Sequence, residues 1–193
     1  MIWLKDVKIT EAKNNLEKGY KIPDLLDINL LVGDQGSGKS TLAKNLVKGH
    51  HIAHLDLDSV AWAPSSLPTN PPSRLPISES KVLIETFLSK NTSWVIEGCY
   101  SDLLAEVLPS ADELIFLNLP INLCVENAKA RPWEPHKYAS KQAQDANLDM
   151  LTDWIKDYEY RTDTFSKQSH QVLYDSFEGT KTMYTSNSHS ERQ

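Results

Sequence analysis

Short apolar runs alternate along the chain with segments whose apolar residues recur every third or fourth position. Runs of the first kind predict buried strands, and the periodic segments predict amphipathic helices. The predicted strands cover residues 28–32, 51–56, 93–98, 113–119 and 181–185. The predicted helices cover residues 40–50, 79–89, 101–107, 121–130, 143–160 and 164–177. Because strands and helices alternate, we predict a three-layer α/β fold with a mostly parallel sheet of about five strands and helices on both faces.

The remaining segments delimit one domain. Residues 1–27 form an N-terminal extension of unassigned function, residues 28–185 form the predicted domain, and the polar residues 186–193 are predicted to be a flexible tail. Within the domain, residues 64–76 contain five prolines and predict a surface loop. Residues 131–140 contain two prolines and are predicted to be irregular.

Composition narrows the environment and the partners. The 193-residue chain has a net charge of −6 and two cysteines, Cys99 and Cys124, without metal-type spacing. So few cysteines without such spacing, together with the lack of a secretory signal, favour a cytoplasmic protein. No apolar run approaches the roughly 18 residues that cross a bilayer, so we expect no membrane partner. Net acidity makes nucleic acid an unlikely partner, because that partner normally requires a basic face.

A glycine-rich segment after the first predicted strand carries the strongest chemical signal. Residues 33–40 match the pattern G-x-x-x-x-G-K-[ST] in full. Glycines allow successive N–H groups to point at phosphate oxygens, and the helix that follows directs its positive end at the same anion. We therefore predict binding of ATP, or another nucleoside triphosphate, with Mg²⁺. The predicted nucleotide contacts are Gly33, Asp34, Gln35, Gly36, Ser37, Gly38, Lys39, Ser40 and Thr41, with Lys39 at the β- and γ-phosphates and Ser40 on the metal.

Three carboxylates follow predicted strands. Asp56 and Asp58 end the second strand and could face one cleft, since alternate strand residues share a side. One of them is predicted to hold Mg²⁺ through water and the other to orient or deprotonate an acceptor hydroxyl. Both are catalytic candidates and Asp56 is also a candidate metal ligand, although Asp58 could instead cap a short helical turn. Glu97 ends the third strand and is predicted to contact the Mg²⁺ shell, with a lysine partner as the alternative. Trp62 and Tyr100 are weaker candidates for lining the acceptor pocket.

Several of these segments resemble small-molecule kinases. The loop at 33–40 resembles that of nucleotide and metabolite kinases, and residues 54–58 (HLDLD) are similar to the Asp-x-Asp element of shikimate kinase-like enzymes. Residues 94–101 (WVIEGCYS) resemble the adenylate-kinase-like group labelled topology-modulation or FlaR-type proteins. The resemblance covers roughly residues 28–131. It implies a P-loop NTPase fold and an ATP-dependent kinase that transfers the γ-phosphoryl group to a small-molecule acceptor.

The same resemblance implies arginines near the transferred phosphoryl group, supplied by a lid at about residues 131–142. Arg131 begins that segment and is the first choice for a catalytic arginine. Arg161 could fold back to the nucleotide, and Arg74 could contact an acceptor anion. Relatives usually carry several lid arginines, whereas here lysines surround one, and lysine lacks the planar fork of arginine.

Two other functions remain open at this point. The chain could be a nucleotide-dependent regulatory module whose conformational change is sensed by a partner. It could also be a nucleic-acid-associated ATPase, as the label of its relatives suggests, although net acidity argues against that function. We expect a monomer or a homodimer.

Overall fold

The computed structural model describes residues 28–48, 52–63, 73–135 and 138–187. In this part of the chain five strands form one sheet in the order β2-β3-β1-β4-β5, and every pair of neighbours is parallel. The strands are β1 (Ile28–Gly33), β2 (Ala53–Asp56), β3 (Trp94–Gly98), β4 (Glu113–Leu117) and β5 (Thr180–Tyr184). The predicted parallel sheet of about five strands is therefore confirmed.

Helices connect these strands. They are α1 (Lys39–Val47), α2 (Asp58–Ala61), α3 (Ile77–Lys90), α4 (Ser101–Val107), α5 (Ile121–Ala130), α6 (Lys141–Asp145), α7 (Leu148–Lys156) and α8 (Lys167–Ser176). Short 3-10 turns follow α4 at Leu108–Ser110 and α7 at Asp157–Glu159. No helix within the described ranges is long and apolar enough to span a membrane.

The side chains of each central strand divide between two cores, one on each face of the sheet. In β1, Leu30 and Val32 pack with α3, α4 and α8, whereas Leu31 packs with α1, α5 and α7. The same alternation occurs in β3 and β4, because successive strand residues point to opposite faces. Both faces of the sheet are therefore buried, which is why these strands read as continuous apolar runs and why the molecule has three layers.

The predicted helix at 143–160 is wrong in its continuity. The chain instead forms α6 and α7, separated at Ala146 and Asn147, and then a 3-10 turn. Asn147 precedes α7, and its side-chain amide donates to the carbonyl of Ala143 at 2.8 Å. This local bond competes with the backbone helical bonds and marks the break.

The last predicted helix begins later than expected. Residues 164–166 lie outside α8, because the Ser166 hydroxyl accepts from the N–H of Ser169 and caps the helix. Thr164 instead bonds the first residues of α4: its hydroxyl lies 2.9 Å from that of Ser101 and accepts from the N–H of Asp102.

A buried hydrogen-bonded chain joins this C-terminal region to the end of β3. The Nε2 of His170 lies 2.8 Å from the carbonyl oxygen of Cys99, and its Nδ1 lies 2.8 Å from the hydroxyl of Tyr158. Burial lowers the pKa of His170 to about 4, so the ring is neutral at pH 7. A carbonyl only accepts, so Nε2 carries the proton and Tyr158 donates to Nδ1.

Several predicted segments lie wholly or partly outside the described residues. These are the N-terminal extension 1–27, the first nine residues of the proline-rich loop (64–72), His136 and Lys137 of the lid, and residues 188–193 of the predicted tail. The described part of the segment predicted to be irregular, 131–135 and 138–140, contains no helix or strand, as expected, and the last residues of the predicted lid, 141–142, begin α6. The carboxyl ends of β1, β2 and β3 meet at one edge of the sheet, where a ligand site is expected in an open α/β sheet.

Candidate functional site

The glycine-rich segment forms a tight loop between β1 and α1. Gly36 and Gly38 adopt φ angles of 75° and 91°, in the left-handed region that favours glycine. A Cβ at Gly36 would lie 2.2 Å from the carbonyl oxygen of Cys124 in α5, so the loop also requires glycine for this close approach. The amides at the start of α1 are the unsatisfied donors that characterise an anion site.

Lys39 begins α1 and turns back over this loop. Its Nζ donates to the carbonyl oxygen of Asp34 at 2.8 Å, and the side chain is largely buried. A buried ammonium group that is held over a ring of amides is suited to a polyphosphate. The predicted position of Lys39 at the phosphate site is consistent with this geometry.

The carboxyl group of Asp34 lies behind the loop. The residue is 2% exposed, and Oδ2 has no hydrogen-bond partner. Burial raises the pKa of this carboxyl to about 7, although the backbone N–H of Gln35 and the charges of Lys39 and Arg161 oppose the rise. Its side chain is absent from the lining of the cleft described below, so only the main chain of Asp34 is available for the predicted nucleotide contact.

Two of the predicted metal ligands stand side by side at the edge of the sheet. Asp56 of β2 is in register with Glu97 of β3. Glu97 is buried, its Oε1 accepts no hydrogen bond, and Nε2 of His54 lies 3.4 Å from that oxygen without the alignment of one. Burial alone would raise the pKa of Glu97, but His54, Lys39 and the Ser40 hydroxyl outweigh it, so the pKa lies below its usual value and the group is a carboxylate.

Asp58 is the first residue of α2 and is held by a short hydrogen-bonded chain. The indole N–H of Trp62 donates to the hydroxyl oxygen of Tyr100 at 2.7 Å, and that hydroxyl donates to Oδ1 of Asp58 at 2.6 Å. Burial and the nearby Asp58 charge raise the pKa of Tyr100, so its proton stays on the phenol. Asp58 is not the helix cap: Oδ1 of Asp56 accepts from the N–H of Asp58 at 2.9 Å.

A second group of residues belongs to α5, to the segment after it and to the chain after β5. Asn127 donates to the carbonyl oxygen of Gly36 at 2.8 Å and exchanges hydrogen bonds with the Asn187 side chain. Nη1 of Arg131 lies 3.3 Å from Oε2 of Glu134, and the indole N–H of Trp133 donates to the carbonyl oxygen of Tyr138.

These groups line one cleft of about 630 Å³, within the size range of small-molecule sites. One part of the lining, which we call the acceptor end, consists of Asp56, Asp58, Glu97, Gly98 and Cys99. A second part, which we call the lid end, consists of Asn127, residues 130–135 and Asn187. The third part comes from the phosphate loop and the first turns of α1: Gln35, Gly36, Gly38, Lys39, Ser40, Thr41 and Lys44.

The cleft brings together most of the predicted site residues. Gly33, Asp34 and Ser37 belong to the loop but not to the lining, since Ser37 and the Asp34 side chain are buried behind it. Trp62 and Tyr100 do not line the cleft and reach it only through Asp58. The sequence did not reveal Asn127, Asn187, Lys44 or Trp133, because no local motif marks them.

Two of the three predicted arginines lie away from the cleft lining. Arg161 stacks on Trp154, with Cζ 3.4 Å from the ring centroid, and its guanidinium also bonds Asp163. Arg161, which the sequence suggested could fold back to the nucleotide, therefore does not line the cleft. Arg74 places one nitrogen 3.0 and 3.1 Å from the two carboxylate oxygens of Asp102 and stacks over Tyr100.

The residues present fit a bound Mg²⁺ in the manner of a nucleotide site. The described residues contain no group of three or more His, Cys, Asp or Glu side chains that could hold a metal by themselves. Mg²⁺ in nucleotide sites needs few protein ligands, because phosphates and water complete its shell. Ser40, Asp56 and Glu97 supply hard oxygen donors along one side of the cleft, and Oε1 of Glu97 is a buried acceptor without a hydrogen bond.

Comparison with known proteins adds one finding. A family model described as an AAA domain matches residues 30–148, more than half of the chain, including the phosphate loop, all three carboxylates and Arg131. No curated protein matches the chain.

Proposed function

The chain belongs to the AAA domain family of P-loop NTPases, and we propose that it is an ATP-dependent kinase that phosphorylates a small-molecule acceptor. The observation that supports this proposal is that one cleft is lined both by the phosphate loop and by a candidate general base. Lys39 and Ser40 line it together with Asp58, a carboxylate that is oriented by the Tyr100 hydroxyl.

The proposed roles follow from position in the cleft. Loop amides and Lys39 bind the phosphates, and Asp58 accepts the proton of the acceptor hydroxyl while Tyr100 fixes the carboxylate. The hydroxyl oxygen forms a bond to the γ-phosphorus, the bond from that phosphorus to the bridging oxygen breaks, and ADP leaves. Ser40, Asp56 and Glu97 would hold Mg²⁺, which neutralises phosphate charge when bound.

Arg131 is the proposed source of positive charge at the lid end. It lines the cleft and lies 3.3 Å from Glu134, so contact with phosphate oxygens requires the guanidinium to exchange or share this partner. We propose that closure of the lid segment over the nucleotide frees Arg131 from Glu134 and also excludes water.

The same ion pair favours a second candidate function. Arg131 is already paired with Glu134, and Arg74 and Arg161 are held by other carboxylates. With these arginines engaged, phosphoryl transfer would be slow. A nucleotide-dependent regulatory module, in which ATP binding moves the lid without transfer, would have this arrangement.

We also propose a cytoplasmic location. Cys99 and Cys124 are both free thiols and both buried, as expected in a reducing compartment.

Incubation with γ-labelled ATP and pooled small metabolites tests the kinase. Wild type is expected to label an organic product, and Asp58→Asn is expected to lower the yield by about a hundredfold, the usual contribution of a general base. Nucleotide affinity, measured by calorimetry, should be unchanged in that variant. Asp153→Asn, on the exposed face of α7, is the matched control and should behave as wild type.

Release of labelled inorganic phosphate alone, at the same rate in both proteins, would contradict the kinase and favour the regulatory module. Repeating the assay with GTP establishes the base preference.

A further inference from the structure

The segment that follows α5 borders the cleft without forming regular structure. Residues 130–135 line the lid end, and residues 131–135 belong to no helix or strand. Pro132 has no N–H to donate, and Pro132 and Pro135 both restrict the residue before them to extended backbone. Helical hydrogen bonds therefore do not fix the side chains of this segment, and other contacts must hold them in place.

The side-chain amide of Gln144 in α6 supplies two of these contacts. Its Oε1 accepts from the backbone N–H of Glu134 at 2.8 Å, and its Nε2 donates to the carbonyl oxygen of Pro132 at 3.1 Å. These two backbone groups belong to the peptide units on either side of Trp133. A single side chain therefore clamps both peptide units, with its acceptor and its donor each in use. We call these two hydrogen bonds the Gln144 clamp.

Contacts with Tyr138 and a small cavity support the same arrangement. The backbone N–H of Tyr138 donates to the carbonyl oxygen of Glu134 at 3.0 Å, and its own carbonyl oxygen accepts from the indole N–H of Trp133 at 3.0 Å. Arg131 and Gln144 both line a cavity of about 20 Å³, so the clamp lies beside the arginine. The backbone of Glu134 is thus held at its N–H and at its carbonyl.

Arg131 is anchored separately from its partner. It follows the last residue of α5, and its N–H donates to the carbonyl oxygen of Ala128 at 3.4 Å. A spacing of three residues brings side chains together on a helix, but residues 131–135 are not helical. The contact of 3.3 Å between Arg131 and Glu134 therefore depends on the clamp that holds Glu134. Their side chains are 27% and 18% exposed, so water screens this pair less than a pair on the open surface.

From these contacts we propose that Gln144 is a positioning residue that keeps Glu134 against Arg131 until the phosphates of a bound nucleotide compete for the guanidinium. The inference rests on the proposed role of Arg131 in phosphoryl transfer and adds a residue that controls it. Gln144 does not itself line the cleft. It sets the fraction of molecules in which Arg131 is released, and only that fraction places positive charge at the γ-phosphoryl group.

Hydrolysis of ATP tests this inference without an acceptor. Gln144→Leu keeps much of the side-chain volume and removes both hydrogen bonds of the clamp. The full chain is incubated with γ-labelled ATP and Mg²⁺, and release of labelled phosphate is followed. We expect kcat to rise at least about threefold, because Arg131 leaves Glu134 more often. The Kd for ATP, from calorimetry, should stay within about threefold, because the guanidinium acts mainly in the transition state.

Further variants identify the route of the effect. Glu134→Gln removes the competing charge and should raise kcat at least as much as Gln144→Leu. With Arg131→Ala in the same chain, Gln144→Leu should change the hydrolysis rate by less than about twofold, because no guanidinium remains to be released. Gln144→Asn is one methylene shorter and cannot span both peptide units, so it should raise kcat as well and provides a second, polar variant of the clamp.

Gln142→Leu is the matched control. It places the same substitution in the same helix at an exposed position, and should hydrolyse ATP at the wild-type rate. A role of Gln144 in folding alone would lower Tm and the rate together. A faster reaction that requires Arg131 has no such explanation.

The outcomes separate this inference from the proposed kinase. A kcat that is unchanged or lower in the Gln144 variants, or a rise that persists without Arg131, would overturn the positioning role, and the kinase would stand if wild type still labels an organic product. Absence of any labelled organic product from the metabolite pool would contradict the kinase. Faster hydrolysis by Gln144→Leu would still support the positioning role in that case, because the readout needs no acceptor.

Discussion

Replacement of Gly36 by alanine tests whether the geometry of the loop, and not only its composition, creates the phosphate site. Gly36 has a φ of 75°, a conformation that costs an alanine about 1–2 kcal/mol. The new Cβ would lie 2.2 Å from the carbonyl oxygen of Cys124 and 3.3 Å from its Cα. These contacts are with backbone, which cannot rotate away, so we add about 1–3 kcal/mol for crowding.

The total, about 2–5 kcal/mol, sets the expected size of the effect. In a domain of this length each kcal/mol shifts Tm by about 2–4 °C, so Gly36→Ala should melt about 10 °C below wild type. Relief of the clash displaces the loop amides, and ATP affinity should fall at least tenfold. Thermal denaturation and calorimetric titration with ATP and Mg²⁺ measure the two effects.

Gly98→Ala is the matched control. Its Cβ would meet Cβ and Cδ1 of Leu57 at 3.0 Å and Cδ2 of Tyr100 at 3.1 Å with an ordinary φ, so these neighbours must move by a few tenths of an ångström, far less than the 2.2 Å backbone contact at Gly36 requires. Lower entropy of the unfolded chain returns about 0.4–1 kcal/mol, so we expect a change in Tm of only a few degrees. Equal melting of Gly36→Ala and wild type, with unchanged ATP affinity, would refute the assigned geometry.

Four other predictions follow from single contacts. Lys39→Ala removes a buried ammonium group and should weaken ATP binding by at least about tenfold; normal affinity in calorimetry would contradict the site. Arg131→Ala should lower kcat by about a hundredfold while the Kd for ATP stays within about threefold; an unchanged rate of product formation would remove this arginine from the mechanism. Asp34, whose pKa is raised to about 7, contributes stability that is present below about pH 4 and is lost as pH rises through 7. The free energy of unfolding of Asp34→Asn, measured in urea, should therefore rise relative to that of wild type by up to about 4 kcal/mol between pH 4 and pH 8. A difference between the two proteins that does not change with pH would contradict this prediction. Tyr158→Phe leaves the buried Nδ1 of His170 without a donor and should cost about 1–3 kcal/mol in the same assay; a loss below 0.5 kcal/mol would show that the bond contributes little.

The phosphate loop and the fold class were predictable because their signals are local. Left-handed glycines, a lysine at the start of a helix and an amide ring all come from consecutive residues, so the sequence pattern contains the geometry. The alternation of strands with helices likewise predicted the three layers, and Leu30, Leu31 and Val32 occupy the two cores as a doubly buried strand requires. The break at Asn147 was missed because the apolar spacing continues across it, whereas a single side-chain bond interrupts the backbone.

Tertiary structure alone decided which polar groups meet. Asp56 and Glu97 are neighbours because β2 pairs with β3 in one register, and a shift of one residue would separate them. Asn127 bonds the carbonyl of Gly36 across 91 positions of the chain, and no periodicity encodes such a partner. The sequence also left open the partners of Arg74 and Arg161, because a charged side chain pairs with whichever carboxylates and rings packing brings near it. The sequence thus determined that this protein carries a phosphate-binding loop on a parallel sheet, and long-range packing determined which side chains line the cleft beside that loop.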